Sequence, residues 1–151
     1  MSIEKDILQT RNFRNEHHKC VVNLIYTHNW VTEQLKLVLE EEDLTLQQYN
    51  ILRILRGSET PLSTLQIRER MLDKMSDTSR IVDRLILKSL ALKSINKKDK
   101  RLVDVKISAK GKRLLQKLDQ SANTIDNVLK NVSETDAKEL NRLLDKVRGS
   151  A

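Results

Sequence analysis

The chain has 151 residues, 38% apolar and 32% charged, with a formal net charge of +7; that is one domain's worth of residues, too apolar for a disordered chain. No apolar run exceeds three residues, which excludes a membrane-spanning helix. Three glycines and one proline leave room for few turns, so helix is expected to dominate and a Gly-rich phosphate loop is excluded.

Residues 1–6 lack the apolar core of a signal peptide. With a single cysteine, Cys20, this fits a protein of the reducing cytoplasm. Residues 12–41 contain no glycine or proline, and Val21, Val22, Leu24, Ile25, Trp30, Val31, Leu35, Val38 and Leu39 recur near helical spacing. They predict one long helix of roughly 45 Å. It should end at the acidic run Glu40, Glu41, Glu42 and Asp43, which opposes the dipole at a helix C-terminus. A helix that long in a chain this short predicts sharing between subunits.

Thr45 is placed to cap a second helix with Tyr49, Ile51, Leu52 and Leu55 inward. Residues 57–61 (GSETP) are the clearest loop. Ser63 with Gln66 three residues on is a capping-box pattern opening a third helix, whose apolar positions are Leu65, Ile67, Met71 and Leu72. A fourth helix over 76–89 carries the stripe Thr78, Val82, Leu85 and Ser89, with Ile81 and Ile86 beside it. Leu90, Leu92 and Ile95 then precede the polar stretch 96–100. After it Val103, Val105 and Ile107 alternate with Asp104 and Lys106, the period of a half-buried strand. Two short strands around a lysine-rich turn make a basic hairpin.

Ser108 is a fair cap for a helix running through Leu114, Leu115, Leu118, Ala122, Ile125, Val128 and Leu129 to about residue 131. Ser133 with Asp136 opens a last helix bearing Ala137, Leu140, Leu143, Leu144 and Val147. The terminal helices have too few neighbours to bury their faces in one copy, so an intertwined homodimer is expected. Phe13 and Trp30 are placed as core or dimer-interface anchors.

Charge is segregated along the chain. Residues 45–112 carry 16 Lys/Arg against 7 Asp/Glu, and the remainder carries 12 against 14. A basic middle held between slightly acidic ends points to a nucleic-acid surface.

Three short helices followed by a hairpin is the order of a winged helix-turn-helix, with Asp73, Lys74 and Met75 as its turn. Residues 44–52 (LTLQQYNIL), 76–85 (SDTSRIVDRL) and Asp99-Lys100-Arg101 with Val105, Ile107, Ser108 and Gly111 resemble the MarR (multiple antibiotic resistance regulator) family of bacterial transcription factors. They match its second helix, its recognition helix, and its wing with the following helix. The resemblance runs ungapped over about residues 45–115. Leu72 and Ser89 depart from it, standing where the family commonly has glycine. The fold expected is mainly α with a small β-hairpin wing (α+β), a winged helix-turn-helix with flanking dimerisation helices. The expected divisions are 1–44 and 113–151 for the dimerisation helices and 45–112 for the DNA-binding lobe.

Double-stranded DNA is then the expected partner, together with a second copy of the chain, and no membrane. Ser76, Asp77, Ser79, Arg80 and Arg84 are the major-groove candidates. Asp77 has an alternative role in the first helical turn, matching the dipole, and Arg84 has an alternative partner in Glu69. The resemblance implies that Arg101 enters the minor groove and that Asp99 orients it, where a narrow A·T-rich groove favours arginine. Lys74, Lys88, Lys97, Lys98 and Lys100 are expected on phosphates. The resemblance also implies a repressor acting on a pseudo-palindromic operator, released by a small anionic or phenolic effector bound between the dimer helices and the DNA-binding lobe.

Other constellations are weaker. Some members of the family sense peroxides through a first-helix cysteine bonded by tyrosines, which makes Cys20, with Tyr26 and Tyr49, a candidate redox switch. A lone cysteine on an apolar helix otherwise reads as a small buried residue. His17 and His18 are adjacent and so point to different sides of a helix, and His28 stands alone. No metal and no cofactor are expected. No G-x-S-x-G, H-E-x-x-H or paired-carboxylate motif is present, so no enzyme is expected. A helical interaction dimer without DNA binding is the alternative from another class.

Overall fold

The structure, a computed structural model, describes residues 2–120 and 125–149. A short helix α1 (Ile3–Asp6) precedes the long α2 (Glu16–Glu40). The lobe follows as α3 (Leu46–Arg56), β1 (Leu62–Ser63), α4 (Thr64–Arg70), α5 (Thr78–Leu87), β2 (Ala91–Ile95) and β3 (Val103–Ile107). Helix α6 (Ala109–Gln120), a 3-10 turn (Ile125–Leu129) and α7 (Glu134–Val147) complete the chain.

Helix α3 starts where the sequence places it. The Thr45 hydroxyl accepts from the Gln48 N–H at 3.1 Å, and the Gln48 side chain accepts from the Thr45 N–H at 3.2 Å. Ser63 and Gln66 close the same reciprocal box at the start of α4, at 3.2 and 2.9 Å. Each box satisfies two of the N–H groups that a helix start leaves unpaired. Replacing Thr45 with alanine should therefore lower stability by about 1 kcal/mol, read as a shift of the urea midpoint at constant slope. A midpoint unmoved by the substitution would show that Gln48, which is buried, holds the helix start without it.

The core is centred on this lobe and takes in Leu39 of α2 and Leu115 and Leu118 of α6. Ile51 and Leu52 of α3, Ile67 of α4, Leu85 of α5, Val105 of β3 and Leu115 of α6 are fully enclosed. Each contributes roughly 1.5–3 kcal/mol of apolar burial. The sheet is three-stranded and antiparallel in the order β1-β3-β2, with Leu62 opposite Val105 and Ala91 opposite Ile107. Two residues are too few to show a period, so β1 leaves no signal in the sequence.

Several boundaries differ from expectation for identifiable reasons. The long helix begins at Glu16, not near residue 12, because Asn15 is extended and its side chain accepts from the His18 N–H at 2.9 Å. Helix α4 is only seven residues long. Ile67 and Met71 take its inward line, which leaves Leu65 on the outer side and Leu72 beyond the helix end, both exposed. The recognition helix is Thr78–Leu87 rather than 76–89. It stops because Ser89 takes a left-handed backbone with φ 60°, the conformation that glycine adopts without strain. The helix expected to reach residue 131 is α over Ala109–Gln120 and 3-10 over Ile125–Leu129; Ala122 lies outside the described residues. Asp126 and Asn127 are weak α-formers, because their side chains compete for backbone hydrogen bonds.

Around Ser89 the wing is knotted to α6. The Ser108 hydroxyl donates to the Ser89 carbonyl at 2.7 Å and accepts from the Gly111 N–H at 2.9 Å, so it caps α6 as its position predicts. The Ser108 N–H donates to the Leu90 carbonyl at 3.0 Å. Ion pairs then fasten the lobe to its flanks and the flanks to each other. Arg56 meets Asp119 at 2.5 Å, Lys117 meets Glu42 at 2.5 Å, and Lys88 meets Asp43 at 2.9 Å.

The flanking helices are bare by comparison. Along its 25 residues α2 buries only Leu39, and α7 buries nothing. Val21, Ile25, Trp30 and Leu37 of α2 and Leu140, Leu143 and Val147 of α7 are all exposed in the single chain. Among the described residues no helix is long and apolar enough to cross a membrane.

Candidate nucleic-acid interface

The turn between α4 and α5 is built by Asp73. Its carboxylate accepts from the Met75 N–H at 3.0 Å and from the Ser76 hydroxyl at 2.8 Å. These bonds, the Ser76 hydroxyl first, hold the Asp73 carboxyl below its ordinary range. Asp77 follows as the N-cap of α5, accepting from the Arg80 N–H at 3.2 Å. It stands just before the first helical turn, so its role in the structure is that of a cap. The preceding helix is braced too, since the Leu72 N–H donates to the Asn50 side chain at 2.9 Å.

Helix α5 presents opposite chemistry on opposite sides. Thr78, Val82 and Leu85 are buried, while Ser79, Arg80, Asp83 and Arg84 are exposed. Among the described residues Arg80 and Arg84 form no ion pair, and Arg84 is not joined to Glu69. Asp83 is met by Lys93 of β2 at 3.5 Å, so the wing strand lies alongside the recognition helix.

The wing tip is closed by Asn96. Its side-chain oxygen accepts from the N–H groups of Lys98 and Asp99 at 2.8 and 2.9 Å, and its amide donates to Asp104 at 2.9 Å. Asp99 in turn accepts from the backbone N–H of Arg101 at 2.9 Å. The aspartate thus fixes the arginine through its main chain. The Arg101 guanidinium is left exposed and in no ion pair among the described residues. Lys97, Lys98 and Lys100 are exposed around it.

Two of the five lysines are engaged by other groups of the chain. The Lys74 ammonium donates to the Glu69 carbonyl. Lys88 donates to the Asp43 carbonyl and pairs with that residue's carboxylate. Asp73, Asn96 and Lys93 gain positioning roles that sequence reading leaves out. An Asp or Asn two or three residues before a helix or within a turn is the signal for the first two. The Lys93–Asp83 contact is tertiary and has none.

The other candidates are placed apart. Cys20 is exposed on α2. The Tyr49 hydroxyl accepts from Arg53 at 3.0 Å, and none of the observed hydrogen bonds joins a tyrosine to the thiol. Phe13 stacks edge-on against His18 at 5.5 Å. Among the described residues no group of three His, Cys, Asp or Glu side chains gathers to hold a metal.

No sequence-family model matches the chain, and no curated protein sequence does. Solved structures do. The MarR transcription factor from Planctomyces limnophilus matches with 26% identity and a TM-score of 0.66, over 89% of this chain and 98% of its own. The chain has the winged-helix fold of the MarR-family structures that it matches. A mutant MarR from E. coli complexed with operator DNA matches the MarR fold at a TM-score of 0.76 and 22% identity, over 91% of this chain and 99% of that one. Bordetella bronchiseptica BpsR, whose DNA binding is regulated by 6-hydroxynicotinic acid, matches at 0.72 and 18%, over 83% and 95%. The α+β winged helix-turn-helix read from the sequence is the observed MarR-type architecture.

Proposed function

We propose that the chain is a cytoplasmic DNA-binding transcription regulator, a repressor that grips a pseudo-palindromic operator as a homodimer. The observation that carries this is the pairing of α5 with the wing. Arg80 and Arg84 on the helix and Arg101 at the wing tip are exposed, with no ion pair among the described residues. Guanidinium groups on a recognition helix suit guanine edges and phosphates, and one on a wing suits a narrow minor groove. Ser76 and Ser79 add hydroxyls at the helix start, and Lys97, Lys98 and Lys100 add phosphate contacts. Lys74 and Lys88 would join them only by leaving their carbonyl partners. Residues 45–112 form the DNA-binding lobe in this reading, and 1–44 and 113–151 carry the dimer contacts.

The dimer rests on the bare faces of α2 and α7. Sedimentation at micromolar concentration should give twice the chain mass; a monomeric mass would refute it. Half-sites should then lie about one helical turn apart. An open cleft of ≈ 480 Å³ where the α2–α3 turn, the end of α5 and α6 meet is lined by Lys88 and Lys117, paired there with Asp43 and Glu42, and by Lys110 and Arg113; the last two are the cations in no ion pair, among the described residues, that would hold an anionic effector. A ligand held better by the DNA-incompetent state would release the operator by population shift. Sequencing genomic fragments selected by the protein tests the whole reading. Enrichment of a palindrome, with affinity falling steeply as salt rises, is expected. Recovery of unenriched input DNA would overturn it.

A further inference from the structure

Helix α5 ends at Leu87 and the wing begins at Ala91, so residues 88–90 are the whole link between them. Every backbone polar group of that link is bonded. Its N–H groups bond back into α5: Lys88 donates to the Arg84 carbonyl at 3.1 Å, Ser89 to Ile86 at 2.9 Å and Leu90 to Leu85 at 2.9 Å. Its carbonyls all bond the other way, to the start of α6. The Lys88 carbonyl accepts from the Lys110 ammonium at 2.9 Å, that of Ser89 from the Ser108 hydroxyl at 2.7 Å, and that of Leu90 from the Ser108 N–H at 3.0 Å. Ser108 supplies two of these three bonds and is buried. Its hydroxyl also accepts from the Gly111 N–H at 2.9 Å. Capping α6 needs only that last bond. The bond to Ser89, 19 residues back along the chain, plays no part in a cap.

We infer that Ser108 is a positioning residue for DNA recognition, which holds the wing at a fixed angle to α5. The inference rests on the DNA-binding reading, in which Arg80 and Arg84 of the helix and Arg101 of the wing meet their targets together. A link that is set during folding leaves little relative freedom to be lost when they do. Without the hydroxyl, the Ser89 carbonyl and the Gly111 N–H both lose a partner at a buried place. Part of the ordering of wing against helix is then left to be done on the DNA. Phosphate contacts with a random duplex carry affinity without sequence information and do not demand that angle. The hydroxyl should therefore matter on the operator and not on random DNA.

The test measures affinity for the selected operator and for a random duplex at one salt concentration. The proteins are the wild type, Ser108→Ala, Ser108→Gly and Ser108→Thr, each corrected for its folded fraction from a urea transition. Ser108→Ala should lose about fivefold to tenfold on the operator and keep its affinity for the random duplex. Ser108→Gly should do the same; glycine is tolerated at helix caps, so this variant decides the matter if the alanine one does not fold. Ser108→Thr keeps the hydroxyl and should restore the operator affinity. The loss caused by Arg101→Ala should also be smaller in Ser108→Ala than in the wild type. Equal losses on the two duplexes would leave Ser108 a helix cap alone and overturn the inference. So would full operator affinity in the hydroxyl-free variants, or a folded Ser108→Thr as weak as Ser108→Ala. A wild type that binds operator and random duplex alike would overturn the regulator reading and the inference with it.

Discussion

Arg101→Ala should weaken operator binding by about tenfold or more, roughly 1.4 kcal/mol, with the fold intact. The magnitude follows from how the arginine is presented. Asn96 closes the tip by accepting two N–H groups, and Asp99 accepts from Arg101's own N–H. The backbone that carries the side chain is therefore ordered before DNA arrives, and little conformational freedom remains to be lost on binding. The guanidinium itself has no ion-pair partner to give up among the described residues. A neighbour gives the control. Lys100→Ala should weaken binding modestly and alike on all sequences, and should reduce the slope of affinity against salt by about one charge. Unchanged operator affinity for Arg101→Ala in a salt-matched gel shift would sink the wing assignment. An effect no larger than that of Lys100→Ala would reduce Arg101 to a phosphate contact.

Gly111→Ala should cost about 3 kcal/mol or more of folding stability, a large part of what a domain this size possesses. A Cβ there would lie 2.3 Å from the Leu90 carbonyl oxygen and 2.8 Å from the Ile107 side chain. Neither neighbour can withdraw cheaply. The Leu90 carbonyl accepts from the Ser108 N–H, and Ile107 is paired with Ala91 across the sheet. Relief would have to come from lifting the start of α6 off the wing. That would also break the bonds from the Ser108 hydroxyl to Ser89 and Gly111. Denaturant unfolding of the variant measures the loss; a midpoint equal to the wild type's would show that the junction yields.

The parts of the fold that the sequence exposes are those with local causes. Thr45, Ser63, Ser108 and Ser133 mark helix starts because a short side chain must accept the first unpaired N–H groups, and all four do so. The alternation at Val103, Val105 and Ile107 marks β3 because a strand has two faces. What stays hidden is set by distant partners. β1 exists only because β3 accepts it, and the exposure of Leu65 follows from a helix too short to need it. The interface divides the same way. Asp77 at the start of α5 and Arg101 beside Asp99 are legible from motifs. The contacts of Lys74 and Lys88, and that of Lys93 with Asp83, depend on partners 5 to 45 residues away in the chain. Ser89 is a middle case: a departure from glycine seen in the sequence, whose cost shows only as a positive φ.

The tether made by Lys88 bears on how this protein can move. Its ammonium fastens the first residue beyond α5 to Asp43, ahead of α3, while Lys110 of α6 donates to the Lys88 carbonyl at 2.9 Å. The recognition helix is thus stapled at its trailing end to elements on either side. A displacement of α5 at this end therefore either carries the α2–α3 turn and α6 with it or gives up these two exposed contacts, each worth little by itself.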